Sequence, residues 1–156
     1  HHAYKYIYYM GRSYINVYIH IIFHTKCYGA MMKEEDLPQI FRYIGGIIRA
    51  LSGCAYMVGG CPDHIHVLTS LPHASRLSDF VRDIKANTSK WIKSLHQDYK
   101  EFSWQEGYGV FSVSESNKES VIKYIEKQKE HHKYRSVREE FTHFLEKNGF
   151  STDYVP

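Results

Sequence analysis

The chain has little of what would place it quickly. Its three cysteines, Cys27, Cys54 and Cys61, are an odd number without CxxC spacing, so reduced thiols are expected rather than a disulfide framework. No apolar run approaches the ~20 residues that cross a bilayer, and no signal peptide opens the chain, so a cytoplasmic protein away from membranes is expected. The phosphate-cradling GxxxxGK[ST] loop is missing, which removes the usual ATP site. A net charge of only +3 permits a polyanionic partner without demanding one.

What is present argues for an ordered fold. With 43% hydrophobic and 15% aromatic residues, 156 residues suit one domain with a real core. His1 and His2 read as the end of an affinity tag and Met10 as a start. Residues 1–9 are therefore set aside and 10–156 taken as the domain.

Residues 14–24 alternate, with Ile15, Val17, Ile19, Ile21 and Phe23 on one face and Asn16, Tyr18, His20, Ile22 and His24 on the other, which predicts a strand. Residues 34–51 carry Leu37, Ile40, Phe41, Ile44, Ile47, Ile48 and Leu51 at helical spacing, with Pro38 in the first turn and Gly53 as the stop. Gly45 and Gly46 either weaken that helix or mark a close backbone approach. Strands are predicted at 54–60 and 64–70 around a turn at 60–63. A helix capped by Ser75 runs to about Leu95, and a fourth strand covers 109–114. Ser116 with Glu119, and Ser136 with Glu139, make two capping-box patterns. The first opens a helix from Asn117 to about His131. The second opens a last helix with Val137, Phe141, Phe144 and Leu145, closed by Asn148-Gly149. The order β-α-β-β-α-β is the ferredoxin-like split βαβ arrangement, an α+β antiparallel sheet with two helices on one face and additional C-terminal helices.

The chemistry concentrates in Pro62-Asp63-His64-Ile65-His66. On a strand His64 and His66 share one face, away from Ile65 and Val67, and two adjacent imidazoles can grip one metal ion. The plain alternative is a half-buried strand whose histidines only hydrogen-bond. On the predicted helix from Asn117, Tyr124, Gln128 and His131 fall on one stripe, with Val121 and Ile125 as its anchoring edge. A helix hung after the fourth strand can lay that stripe across the open sheet face. A tyrosine on a helix also commonly just packs, so spacing alone does not choose Tyr124. Cys61 beside the histidines keeps a zinc site open. Arg82, Lys85, Lys90 and Lys93 around Trp91 fit either a DNA-steering face or an ordinary solvated one. His20 and His24 are candidates for hydrogen bonding near the site, whereas His131 and His132 fit a metal ligand, a phosphate contact or, more simply, a solvated helix end.

Taken together, His20…Phe23…Thr25-Lys26, Pro62-Asp63-His64-Ile65-His66, Trp104-x-x-Gly107-Tyr108 before Phe111-Ser112-Val113, and Tyr124-Ile125-x-x-Gln128 resemble the single-tyrosine transposases of the IS200/IS605 type. These belong to the HUH nucleases, and relatives act on repetitive extragenic palindromes. The resemblance runs from about Ser13 to at least His132. It implies cleavage and rejoining of single-stranded DNA at hairpin-bearing ends, with Tyr124 as nucleophile through a 5′-phosphotyrosine. It implies His64, His66 and Gln128 as ligands of Mg²⁺ or Mn²⁺, a DNA role for Lys85, and a homodimer. Two imidazoles and an amide are softer than the oxygen cage magnesium prefers, so the donors alone rank manganese or zinc higher. Two other classes remain open: a non-catalytic single-stranded nucleic-acid-binding module of the same fold, and a zinc-dependent hydrolase using His64, His66 and Cys61.

Overall fold

The computed structural model describes residues 14–128 and 136–152. Strands β1 (Tyr18–His24), β2 (Ala55–Cys61), β3 (His64–Ser70) and β4 (Gly109–Val113) form one antiparallel sheet in the order β2-β3-β1-β4. Helices α1 (Leu37–Ala50) and α2 (Leu77–Leu95) follow β1 and β3, while α3 (Lys118–Glu126) and α4 (Val137–Lys147) follow β4. This is the expected α+β split βαβ order with helices added at its end.

Period-two alternation in β1 and β3 divides the interior in two. Ile19, Ile21, Phe23, Ile65 and Val67 meet Ile40, Ile44 and Ile48 of α1 and Phe80, Val81 and Ile84 of α2 in the main core. Each such side chain stabilises the fold by about 1.5–3 kcal/mol relative to exposure, so this layer fixes the sheet. The opposite face holds a thinner core of Tyr18, Leu68 and Ile125, the last from α3. In register, His24 lies opposite His64, Ile22 opposite His66 and His20 opposite Leu68, so the buried His20, His64 and His66 project to that second face.

Two glycines let helices come down onto this face. A Cβ at Gly59 of β2 would stand 2.8 Å from both the carbonyl oxygen and a side-chain methyl of Ile125 in α3. A Cβ at Gly109 of β4 would stand 2.9 Å from the Phe141 ring of α4. Hydrogen in place of a methyl group is what permits either contact. At Gly45 and Gly46, by contrast, a Cβ would meet nothing within 4 Å, so no close approach explains them.

Several boundaries differ from expectation. β1 begins at Tyr18 rather than 14, because its partners in β3 and β4 end at Ser70 and Val113, opposite Tyr18. Glu34–Asp36 form a 3₁₀ turn before α1, and the β2–β3 connection shrinks to Pro62 and Asp63. Neither Ser75 nor Ser116 caps a helix: Arg76 holds the N-cap of α2, and a 3₁₀ turn over Glu115–Asn117 leads into α3 with Asn117 N–H bonded to the Ser114 carbonyl. Ser136 does cap α4, accepting from the Glu139 N–H at 3.2 Å. α3 ends at Glu126 and Lys127 stands in a turn; beyond Gln128 the expected continuation to His131, with His132, lies outside the described residues.

Candidate active site

His64 and His66 are buried to 1% and 0% exposure beneath α3 and α4, not left on an open face. Each imidazole is held from behind. His64 Nδ1 lies 2.8 Å from Asp63 Oδ1, and His66 Nδ1 lies 2.8 Å from His20 Nε2. The second nitrogens, both Nε2, therefore face the space below the helices.

α3 and the residues just past its end bring the rest of the sequence-predicted set into that space. Gln128 Nε2 donates to the Tyr124 carbonyl at 3.3 Å, one helical turn back, which turns Oε1 toward His64 Nε2 at 3.0 Å. The Tyr124 ring lies 5.8 Å from the His66 ring centre and 6.4 Å from that of His20. Tyr124, Gln128, His64 and His66 thus converge within one chain.

Sequence reading missed Glu140. Its carboxylate, 3% exposed, reaches from α4 to within 3.2 Å of His66 Nε2 and 3.7 Å of His64 Nε2, and it accepts the Tyr124 hydroxyl hydrogen. His64, His66 and Glu140 are the one group of potential metal ligands among the described residues whose donor atoms all fall within 4.8 Å, and Cys61 is not part of it. A signal did exist: Glu140 precedes Phe144 by four, so it shares the helix face whose ring packs on His20, His66, Phe111 and Tyr124. A carboxylate on an otherwise apolar stripe calls for a partner.

The electrostatics follow from this packing. Burial alone would raise the Glu140 carboxyl, yet the bonds from His66 and Tyr124 and the nearby imidazoles outweigh it and hold the group far below the usual carboxylate range. Burial pulls His64 down, but its bonds to Asp63 and Gln128 and the charges of Asp63 and Glu140 leave it above the ordinary 6.5. Burial, reinforced by repulsion from His66, keeps His20 well below that value.

The donor set fits a divalent cation. Ligands at 2.0–2.1 Å on adjacent corners of an octahedron stand about 3.0 Å apart. The spacings found are 3.0 Å between His64 Nε2 and Gln128 Oε1 and 3.2 Å between His66 Nε2 and Glu140 Oε1. Adding a carboxylate to two imidazoles and an amide hardens the set, moving its preference toward manganese and magnesium.

The basic residues of α2 are placed elsewhere. That helix packs on the main-core face, so the sheet separates it from the histidines. Arg82 is exposed and pairs with Asp79 and Asp83, and Lys90 and Lys93 are exposed. Lys85 donates from Nζ to the carbonyls of Gln105 at 3.0 Å and Gly107 at 2.7 Å, tying α2 to the loop before β4.

A split βαβ sheet with a His-x-His strand beneath a tyrosine-bearing helix is the layout of the single-tyrosine HUH transposases. The chain belongs to the family described as "Transposase IS200 like", whose profile matches residues 13–128. Over 72 residues it is 31% identical to the ISDra2 transposase TnpA of Deinococcus radiodurans, an alignment covering 43% of this chain and 51% of that protein, so the chain spans about half the length of this curated relative. Its fold is similar to that of a protein from D. radiodurans R1 solved as a candidate transposase, with a TM-score of 0.59 and 22% identity over 76% of this chain and 95% of the other. It is also similar to a REP-associated tyrosine transposase bound to a REP hairpin, with a TM-score of 0.58 and 18% identity over 80% and 73% of the two chains. At these identities the two structures speak for the fold alone. No helix among the described residues is long and apolar enough to cross a membrane.

Proposed function

We propose that the chain cleaves and rejoins single-stranded DNA at hairpin-bearing ends, with Tyr124 as nucleophile and a divalent cation, Mg²⁺ or Mn²⁺, held by His64, His66, Gln128 and Glu140. The observation that carries this reading is the convergence of a phenol, two imidazoles, an amide oxygen and a carboxylate under α3 and α4. Tyr124 Oη attacks the phosphorus of a phosphodiester. The new Oη–P bond replaces the bond to the 3′ oxygen, which leaves as a 3′ hydroxyl after taking up a proton, while the phenol loses its own. The cation, when bound, neutralises charge on the scissile phosphate and helps a phenol of ordinary pKa ~10 to react near neutrality. Storing the bond as a tyrosyl ester keeps it available for rejoining without ATP.

Glu140 acts here by orienting the phenol and completing the donor set. A carboxylate held so far below its ordinary range is poorly matched to take a proton from a phenol. Arg82, Lys90 and Lys93 contact DNA away from the scissile phosphate, given the sheet between α2 and the site, and the partners are a single-stranded hairpin and a second copy of the chain.

The test is incubation of a single-stranded hairpin oligonucleotide with Mn²⁺ or Mg²⁺, followed by a search for a denaturant-resistant protein–DNA adduct. The adduct is expected to form, to vanish in Tyr124→Phe and to weaken severely in His64→Ala. An adduct that survives Tyr124→Phe overturns the assignment of the nucleophile. Cleavage without an adduct favours a hydrolase, and binding alone favours a nucleic-acid-binding module.

A further inference from the structure

The contact of His20 with His66 is not used by the proposed chemistry, which takes His66 only as a ligand. His20 comes from the middle of β1, is 2% exposed, and puts Nε2 at 2.8 Å from His66 Nδ1. Its ring is clamped by aromatic neighbours, with centre-to-centre distances of 5.1 Å to Phe144, 6.4 Å to Tyr124 and 6.5 Å to Phe111. It has little room to turn away.

We propose that His20 is a positioning residue for the cation site, fixing the tautomer of His66 by exchanging donor and acceptor roles with it; this rests on the metal-binding part of the function proposed above. A metal takes the lone pair of a neutral imidazole nitrogen, so His66 bound through Nε2 must carry its proton on Nδ1 and donate to His20. Without the cation, His66 Nε2 faces Glu140 Oε1 at 3.2 Å, a contact that needs a proton on Nε2. In the neutral ring Nδ1 is then an acceptor, and His20 Nε2–H donates. The same 2.8 Å bond therefore has to run in opposite directions in the two states. A carbonyl or carboxylate behind His66 could serve only the loaded state, because it accepts and never donates. An imidazole serves both by moving its proton from Nε2 to Nδ1. Proton count is conserved: His66 and His20 each carry one ring proton in either state, with one proton leaving His66 Nε2 and one arriving at His20 Nδ1.

The experiment measures Mn²⁺ affinity of the DNA-free full chain by titration calorimetry in wild type, His20→Leu and His20→Gln. Removing a partner behind a metal-ligating histidine typically weakens binding ~10–100-fold, and that loss is expected in His20→Leu, whereas His20→Gln, whose amide can donate or accept at about the same reach, stays within about fivefold of wild type. Wild-type affinity in a folded His20→Leu overturns the proposal. If His20→Leu does not fold, the tautomer is read directly from imidazole ¹⁵N shifts of wild type with and without Mg²⁺. The expected signature is a proton on His66 Nδ1 in the loaded protein and on Nε2 in the free one, and an unchanged tautomer overturns the proposal. Because no DNA is used, loss of strand cleavage with this signature intact would overturn the proposed activity and leave the role of His20 standing.

Discussion

Tyr124 of α3 donates its hydroxyl hydrogen bond to Glu140 of α4, so the phenol and the carboxylate beside the two imidazoles are fixed by one contact. The bond joins residues 16 apart in sequence and closes the roof over the site.

If Glu140 is a ligand, Glu140→Ala should weaken Mn²⁺ binding by about tenfold or more. Adduct formation at saturating Mn²⁺ should fall but persist, because the phenol loses the acceptor that orients it while an anion that opposes loss of its proton is removed as well. Calorimetry and the adduct assay check the two halves separately. Unchanged affinity removes Glu140 from the donor set, and an adduct lost even at saturation would show that orientation by Glu140 is indispensable.

Much of this was legible in the chain itself. Alternation in β1 and β3 placed His64 and His66 on the face away from the main core, and four-residue spacing put Tyr124 and Gln128 on one stripe, because both periods follow from backbone geometry. Glu140 was only half legible: a carboxylate on an apolar stripe calls for a partner, but which partner depends on how α4 docks over β4 at Gly109, a long-range packing event. The partners of Lys85 were not legible for a related reason. Its charge fits a DNA-steering or a solvated face equally well, and the loop carbonyls of Gln105 and Gly107 lie 20 and 22 residues away and meet it only in the fold.

Gly59→Ala should displace α3. The added methyl group would stand 2.8 Å from the Ile125 carbonyl, and backbone cannot yield as a flexible side chain does. A stability loss of about 1–3 kcal/mol is expected from overpacking. Because Tyr124 and Gln128 ride on the same segment, adduct formation should fall further, and a misplacement near 1 Å can cost ~100-fold. Thermal unfolding and adduct yield measured on one sample separate these effects, and full activity in Gly59→Ala would mean that the contact between α3 and β2 does not position the tyrosine.

Metal affinity should fall as pH falls, with a midpoint above that of an ordinary histidine. His64 Nε2 must lose its proton before it can bind a cation, and its pKa stands above 6.5 despite burial because Asp63 and Gln128 favour the charged ring. Asp63→Asn removes a carboxylate that supports the proton, so its curve should shift to lower pH. The same change makes the imidazole a weaker donor to the metal, so affinity on the alkaline plateau should drop. The two curves should approach each other, or cross, on the acid side. Mn²⁺ titrations between about pH 5.5 and 8.5 bracket the transition. Curves that superimpose would show that Asp63 has no electrical hold on His64.

Lys85 offers the sharpest contrast between charge as structure and charge as ligand. With its Nζ given to two carbonyls, one part-buried and one exposed, Lys85→Met should destabilise the fold by about 1 kcal/mol. The salt dependence of single-stranded DNA binding should not change in that variant. Lys90→Ala and Lys93→Ala, on the exposed side of α2, should leave stability within about 0.5 kcal/mol of wild type. If they meet phosphate, each should lower the slope of log affinity against log salt by about 0.7. Chemical denaturation and binding isotherms at several salt concentrations decide the matter. A reduced slope in Lys85→Met with unchanged stability would return Lys85 to the DNA-binding surface and leave the loop before β4 held by something else.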